Sequence, residues 1–290
     1  MAACEFDRLF TRRVMHIYEK IFFSLDYASF KKCLEVCRSW NDLLTSESFQ
    51  RMGKSAFCKE ICLELKLAAG NGKTDEVRRI LSTGMVDMNY MNESRDRPEY
   101  PPLMISAMLG HLGVTQLLLG GGAEPNMADH DGSTPLQYAS QSGHKDVAKL
   151  LLDQGADPNM ADHNGRTPLQ CASQSGHKDV VQLLSDRGAE LNMADKHGNN
   201  PLIIAAICGH LDMVHLLLGC GADPNMSDRS GATPLLHAAI QGHLDVVKSL
   251  LYCGADPNMT YQVGRTPLFW ALQEGHIDIA NVLKENGGTV

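Results

Sequence analysis

A fixed period of 33 residues runs through most of this 290-residue chain. Five asparagines, each followed by methionine, keep that spacing, at Asn126, Asn159, Asn192, Asn225 and Asn258. Histidines that follow a glycine keep the same spacing, at His111, His144, His177, His210, His243 and His276. Self-similarity at a period of 20–50 residues is typical of stacked supersecondary units. The period therefore predicts a solenoid, in which each unit buries its apolar face against its neighbours.

Each unit carries the signals of two short antiparallel helices. Thr134-Pro135 and its equivalents pair an N-cap residue with proline at the first helical position. Leu136, Ala139 and Val147 then fall at helical spacing. A glycine such as Gly155 follows the second helix, where it predicts a left-handed C-cap. The turn-rich segment that leads to the next unit predicts a hairpin.

The motifs D-x-x-G-x-T-P-L, G-H and G-A-D-P-N at this period resemble those of ankyrin repeats. The resemblance runs from about residue 63 to residue 290 and covers seven units, of which the first and last act as caps. It implies an all-α fold class: an ankyrin-repeat solenoid of helix pairs with β-hairpin turns, as a domain over residues 61–290. About five extra residues within 92–101 predict a longer hairpin between the first two units.

One departure from the ankyrin pattern concerns the histidine of T-P-L-H. That position holds Gln137, Gln170, Ile203, Leu236 and Phe269 in units three to seven. In the family this histidine tightens the turn by hydrogen bonding to the backbone. We therefore expect its loss to lower local stability, with glutamine as a partial substitute.

The hairpin tips and the exposed side of the first helices predict one continuous surface for a protein target of unknown identity. Departures from the repeat concentrate there, and they include the aromatic and arginine side chains that are typical of binding hot spots. The predicted target-binding residues are Arg97, Tyr100, His130, Asp131, His163, Arg166, Lys196, His197, Arg229 and Trp270. The alternative interpretation is that these are ordinary exposed residues.

Residues 1–60 do not follow the period and form a second predicted domain, a bundle of three or four short helices. A bundle of this size buries little apolar surface alone, so we expect it to depend on a partner or on the solenoid. No linker rich in Gly, Ser or Pro separates it from the repeats. A stiff join would fix the geometry between the two domains.

The order I-x-x-x-I-F-x-x-L, then F, then V-C-R-x-W over residues 12–52 resembles the F-box. Arg13-Val14 stands where most F-boxes have Leu-Pro. The resemblance implies docking on the Skp-type adaptor of a cullin–RING ligase core. By that resemblance the adaptor-binding residues are Ile17, Ile21, Phe22, Leu25, Phe30, Val36, Cys37 and Trp40.

The G-A-D-P-N motif implies, again by resemblance to ankyrin proteins, hydroxylation by a cytosolic asparaginyl hydroxylase. The candidate acceptors are Asn159, Asn225 and Asn258. A structural role in the hairpin also explains these asparagines.

The charge, cysteine content and hydropathy of the chain limit the partners and the compartment that we expect. The net charge is −8, and the chain after residue 62 holds 16 Lys and Arg against 26 Asp and Glu, which disfavours nucleic acid. Nine scattered cysteines favour reduced thiols in the cytoplasm or nucleus. The apolar run 21–25 is too short to span a membrane. The C-x3-C spacing of Cys33, Cys37, Cys58 and Cys62 differs from the usual C-x2-C of zinc knuckles, so we predict neither metal nor cofactor.

The leading functional hypothesis is a substrate receptor of an SCF-type ubiquitin ligase, in which the F-box-like domain recruits the ligase and the repeats select the target. A second hypothesis is an ankyrin scaffold or inhibitor whose N-terminal helices are a cap. A third is a viral or microbial effector with the same ligase mechanism. No phosphate loop, H-E-x-x-H or nucleophile elbow is present, so we do not predict an enzyme.

Overall fold

The computed structural model describes residues 62–82, 86–89, 100–261 and 264–290. The eight predicted adaptor-binding residues, Arg97 and most of the predicted long hairpin lie outside the described residues. Within the described part the chain forms fourteen helices in seven consecutive pairs. They are α1 (62–70), α2 (Thr74–Leu81), α3 (Pro102–Met108), α4 (Leu112–Gly120), α5 (Pro135–Ser142), α6 (Lys145–Asp153), α7 (Pro168–Ser175), α8 (Lys178–Asp186), α9 (Pro201–Cys208), α10 (Leu211–Gly219), α11 (Pro234–Gln241), α12 (Leu244–Tyr252), α13 (Pro267–Gln273) and α14 (Ile277–Glu285).

The odd-numbered helices from α5 onwards begin as the T-P motif predicts. In α5 the Thr134 side chain accepts a hydrogen bond from the backbone N–H of Gln137, and Pro135 occupies the first turn. In α9 Asn200 caps the helix in the same way. Gly143 ends α5 in the left-handed conformation, with φ +77°. A proline at the start and a positive-φ glycine at the end fix these helices at about two turns.

Corresponding helices of neighbouring units pack against each other. From α3 to α14, each odd-numbered helix packs against the next odd-numbered helix, and each even-numbered helix against the next even-numbered one. Leu136 and Leu169 are fully buried between neighbouring units. Ala139 and Ala172 are also fully buried, because their small side chains let the odd-numbered helices approach closely. The described residues of Glu64–Arg78 and Asp87–Val290 belong to one compact unit.

The connections between units are turns and not strand ladders. In the third unit the N–H of Asp129 donates to the carbonyl of Ser133 at 3.0 Å and closes the tip. Among the described residues, the one bridge of β type is the isolated antiparallel pair Tyr261 and Arg265. The predicted hairpins that fall within the described residues are therefore present, but they are too short to pair as regular strands. None of the helices in the described ranges combines the length and apolar character required to cross a bilayer.

Candidate protein-binding surface

In units three to six an aspartate lies at the base of the hairpin tip (residues 129–133, 162–166, 195–199 and 228–232) and organises the turn. Asp129 Oδ1 accepts the N–H groups of Asp131 and Ser133, both at 2.9 Å. Asp162, Asp195 and Asp228 accept the corresponding pair of N–H groups in the next three units. A carboxylate that accepts two backbone donors two and four residues ahead holds the turn in one conformation. The tips therefore present their other side chains from a fixed frame.

Hydrogen bonds also join each tip to the next one. The N–H of His163 donates to the carbonyl of Asp131 at 2.8 Å, and the N–H of Lys196 donates to the carbonyl of Asn164 at 2.8 Å. The N–H of Arg229 donates to the carbonyl of His197 at 3.1 Å. The backbones approach so closely that a side chain on Gly198 would collide with the backbone of Arg229. These bonds join the tips of units three to six into one continuous row.

Two glutamines tie the odd-numbered helices to the following tips. Gln170 Oε1 accepts the N–H of Thr167 at 2.7 Å, and its Nε2 donates to the carbonyl of Asn199 at 2.6 Å. Gln137 makes the same pair of bonds one unit earlier, with the Arg166 carbonyl as acceptor. Both side chains are at least 97 % buried. At the position of the missing T-P-L-H histidine, Gln137 and Gln170 thus bond to the backbone, as expected of a partial substitute.

The histidines of the Gly-His pairs connect each unit to the one before it. His144 Nε2 lies 3.1 Å from the carbonyl oxygen of Met108, and His243 Nε2 lies 3.1 Å from that of Ile207. The ring of His243 also packs on Gly209, where a Cβ would meet it at 2.7 Å. These contacts give the histidines of the Gly-His pairs a structural role in the stacking of the units. Their acceptor was not predicted, because it lies 36 residues earlier in the chain.

The predicted hydroxylation acceptors hold neighbouring units together. Asn159 Nδ2 donates to the carbonyl of Gly188 at 3.2 Å, and its Oδ1 accepts the N–H of Glu190 at 2.8 Å. Asn225 and Asn258 make the equivalent pair of bonds to the following unit. Each side-chain amide therefore bridges two consecutive units. Hydroxylation of these side chains stays a prediction.

The structure brings most of the predicted target-binding residues together along the row of tips. His130, Asp131, His163, Lys196, His197 and Arg229 are all exposed there. Arg166 is on the same row but is turned toward its own unit, because its Nε and Nη2 each lie 3.0 Å from Asp162 Oδ2. Tyr100 packs edge-to-face against Tyr138, with ring centroids 5.4 Å apart. Trp270 lies on α13, in the last unit.

The second oxygen of the base aspartate binds a different side chain in each unit. Tyr138 Oη donates to Asp129 Oδ2 at 2.6 Å, and His237 Nε2 lies 3.0 Å from Asp228 Oδ2. Burial raises the pKa of Tyr138, and its hydrogen bond with Asp129 raises it further. Burial alone would raise the pKa of Asp228, but hydrogen bonds from Ser230, His237 and two backbone N–H groups hold it below its usual value. The contact of His237 with Asp228 was not predicted from the sequence.

An aromatic cluster surrounds Trp270 in the last unit. Its ring lies edge-on to Tyr261 and Phe269, at centroid distances of 6.2 and 5.8 Å. The Arg265 guanidinium lies 4.3 Å from the centroid of Phe269 and 6.0 Å from that of Trp270. A cation within about 6 Å of an aromatic face is attracted by the ring quadrupole. The sequence signal for this cluster was Tyr261, which replaces the base aspartate of the other units.

The buried cysteine of the fourth unit is chemically quiet. Burial raises the pKa of Cys171 to about 11, although nearby Arg166 acts in the opposite direction. Within the described ranges no three His, Cys, Asp or Glu side chains are grouped to hold a metal ion. Cys33, Cys37 and Cys58 of the two C-x3-C pairs lie outside those ranges.

Comparison with known proteins agrees with this architecture. The family model for ankyrin repeats (3 copies) matches residues 65–162, 154–228 and 217–290. No F-box domain was detected in the chain. The search of curated proteins gave no match. The matched segments cover most of the sequence and coincide with the stacked helix pairs, the Gly-His ties and the bonded tips, so the chain belongs to the ankyrin-repeat family.

Proposed function

We propose that this protein is a non-catalytic substrate receptor of an SCF-type cullin–RING ubiquitin ligase. Its ankyrin repeats are a protein–protein interaction module. In the proposal the F-box-like residues 12–52 dock on the Skp-type adaptor, and the repeats bind the protein to be ubiquitinated. The V-C-R-x-W motif and the helical spacing around it support the first half of this proposal.

The proposal that the repeats bind a target protein rests on the row of hydrogen-bonded tips and their exposed side chains. Lys196 and Arg229 project from turns whose backbones are held by aspartates and by bonds to the neighbouring tips. A backbone that is already held in place loses little conformational freedom on binding, so the ordering cost is confined to the side chains. The cluster of Arg265, Phe269 and Trp270 adds arginine and aromatic groups of the kind that dominates binding energy.

The proposed mechanism requires no catalytic side chain in this protein. A receptor that holds a target beside a ubiquitin-charged enzyme raises the effective concentration of the target lysine. The gain depends on how rigidly the receptor joins the two binding sites, because a flexible connection lowers the effective concentration of the target lysine. The absence of a linker rich in Gly, Ser or Pro before the repeats supports this requirement.

Capture from cells tests the proposal. Tagged full-length protein should retain the Skp-type adaptor and a cullin, and the double variant Ile21→Ala, Trp40→Ala should lose both. The matched variant Lys196→Ala, Arg229→Ala should retain them, because these residues lie on the predicted target surface. Proximity labelling should also reveal proteins that accumulate when the proteasome is inhibited. If the unmodified chain captures neither adaptor nor cullin, the ligase function is wrong.

A second candidate function is an ankyrin scaffold or inhibitor without a ligase. Arg13-Val14 in place of the usual Leu-Pro favours it, since that departure weakens the F-box resemblance. In this case the residues before the repeats serve as a cap for the solenoid. The same capture experiment separates the two functions: a scaffold retains a partner through Lys196 and Arg229 but does not retain the adaptor.

A further inference from the structure

Among the exposed side chains of the tips, basic groups outnumber acidic ones, whereas acidic groups predominate on the rest of the repeats. The residue directly after the base aspartate is His130, His163, Lys196 and Arg229 in units three to six, and all four side chains are exposed. Each is a hydrogen-bond donor toward carboxylates, and the last two carry a full positive charge. Arg265, also exposed, extends the row into the seventh unit. The same position thus carries a basic side chain in four consecutive units.

Arg265 stacks on Phe269, but the two other full positive charges of this row remain available to a ligand. Among the described residues, neither Lys196 nor Arg229 forms an ion pair. The aspartates below them are occupied, since Asp195 accepts three hydrogen bonds from His197 and Asn199, and Asp228 is bound by Ser230, Ala232 and His237. Asp131 is the one exposed carboxylate on the tips of units three to six. The unpaired positive charge is therefore concentrated in units five to seven.

Acidic rows occupy other parts of every unit. Exposed carboxylates follow the positive-φ glycine and alanine after each second helix, at Glu124, Asp157, Glu190, Asp223 and Asp256. Others lie in the first turn of the even-numbered helices, at Asp146, Asp179, Asp212, Asp245 and Asp278. A long polyanion would meet these rows and be repelled. A short acidic segment confined to the tips would be attracted.

The spacing of the row selects the conformation of its ligand. Neighbouring helices pack roughly 8–10 Å apart, and an extended chain advances about 3.3 Å per residue, so about three ligand residues correspond to one unit. The bonds from Lys196 to Asn164 and from Arg229 to His197 hold this spacing. We propose that the tip row binds an extended acidic peptide segment of the partner, with a carboxylate at about every third residue. This inference rests on the proposed binding function and specifies the chemistry of the target.

A synthetic peptide tests the inference with the full-length protein. The probe is a fluorescein-labelled peptide of four Glu-Thr-Ser triplets, and its control has the same composition with the four glutamates adjacent. Fluorescence anisotropy should show that the spaced peptide binds more tightly and that its affinity falls as salt is raised. Absence of binding by the spaced peptide at low salt would overturn the inference, as would equal affinity for the clustered control.

Charge reversal locates the site. Lys196→Glu with Arg229→Glu should weaken peptide binding by about tenfold or more, because two attractions become repulsions. The matched pair Lys178→Glu, Lys248→Glu changes the net charge equally on exposed positions of α8 and α12. It should change affinity less than about twofold. Equal losses in both pairs would contradict a local site, and tighter binding of a single-stranded oligonucleotide would indicate a nucleic acid instead.

Two controls keep the outcomes distinct. The neutral variant Lys196→Gln, Arg229→Gln should give an intermediate loss, and circular dichroism should show that all variants are folded. Retention of the adaptor in the capture experiment does not depend on the peptide. A protein that captures adaptor and cullin but ignores the spaced peptide would overturn this inference alone. A protein that binds the peptide but captures no adaptor would leave it standing and refute the ligase function.

Discussion

Replacing Gln170 with alanine removes a side chain that joins the fourth and fifth units. The variant leaves the buried N–H of Thr167 without its acceptor and removes one of the two donors to the carbonyl of Asn199, which keeps the N–H of Asp195. A buried donor without a partner costs about 1–3 kcal/mol, and a lost bond to a half-buried carbonyl costs about 0.5–1.5 kcal/mol. Gln170→Ala should therefore lower the free energy of unfolding by about 1.5–4.5 kcal/mol.

Urea unfolding followed by circular dichroism measures this loss. Because repeat arrays can unfold in parts, hydrogen exchange should be read as well, and protection should fall first around α7 and the tip of the fifth unit. Gln174→Ala is the matched control, since Gln174 is exposed on the same helix. The control should stay within about 0.5 kcal/mol of the unmodified protein. A Gln170→Ala effect no larger than that of the control would refute the proposed role of these bonds.

Three further substitutions or reactions test individual contacts. His243→Ala should cost about 1–2 kcal/mol in the same unfolding assay, whereas exposed His215→Ala should cost less than about 0.5 kcal/mol; equal effects would contradict an inter-unit tie. At pH 8 iodoacetamide should label exposed Cys253 in the folded protein and spare Cys171, whose pKa is raised to about 11. Mass spectrometry measures the labelling of each cysteine. Equal labelling of the two would contradict the burial of Cys171. Asp228→Asn should destabilise at pH 7, with a penalty that shrinks below about pH 4. The folded-state pKa of this carboxyl is lowered, so its stabilisation is lost as pH falls through that value. A pH-independent penalty would contradict this.

The helices and their ends were predictable because local motifs determine them. Thr134 followed by Pro135 starts a helix in any context that permits one, and Gly143 ends it by adopting positive φ. The glutamine substitution for the family histidine was also predictable, since Gln170 offers an acceptor and a donor on one side chain. The helix ends need only neighbours in the sequence, whereas the second bond of Gln170 reaches a carbonyl 29 residues later.

The contacts between units were less predictable. The bond of His237 with Asp228 occupies a position that holds Tyr138 and Cys171 in other units, so the period gave no constant signal. The acceptors of the Gly-His histidines depend on how one unit lies on the next, which the sequence does not state. The adaptor-binding residues of the F-box-like domain stay a prediction from resemblance, because they lie outside the described residues.

The separations of the ties between units have an evolutionary consequence. The asparagine bonds span 29 and 31 residues and the histidine bonds span 36, and each value recurs from unit to unit. Gene duplication of one 33-residue module would supply every copied donor with an equivalent acceptor. Residues 139–147 and 172–180, identical in all nine positions, are consistent with such an event. The array can therefore gain or lose whole units, and so change the length of its binding surface, without any change in the contacts between units.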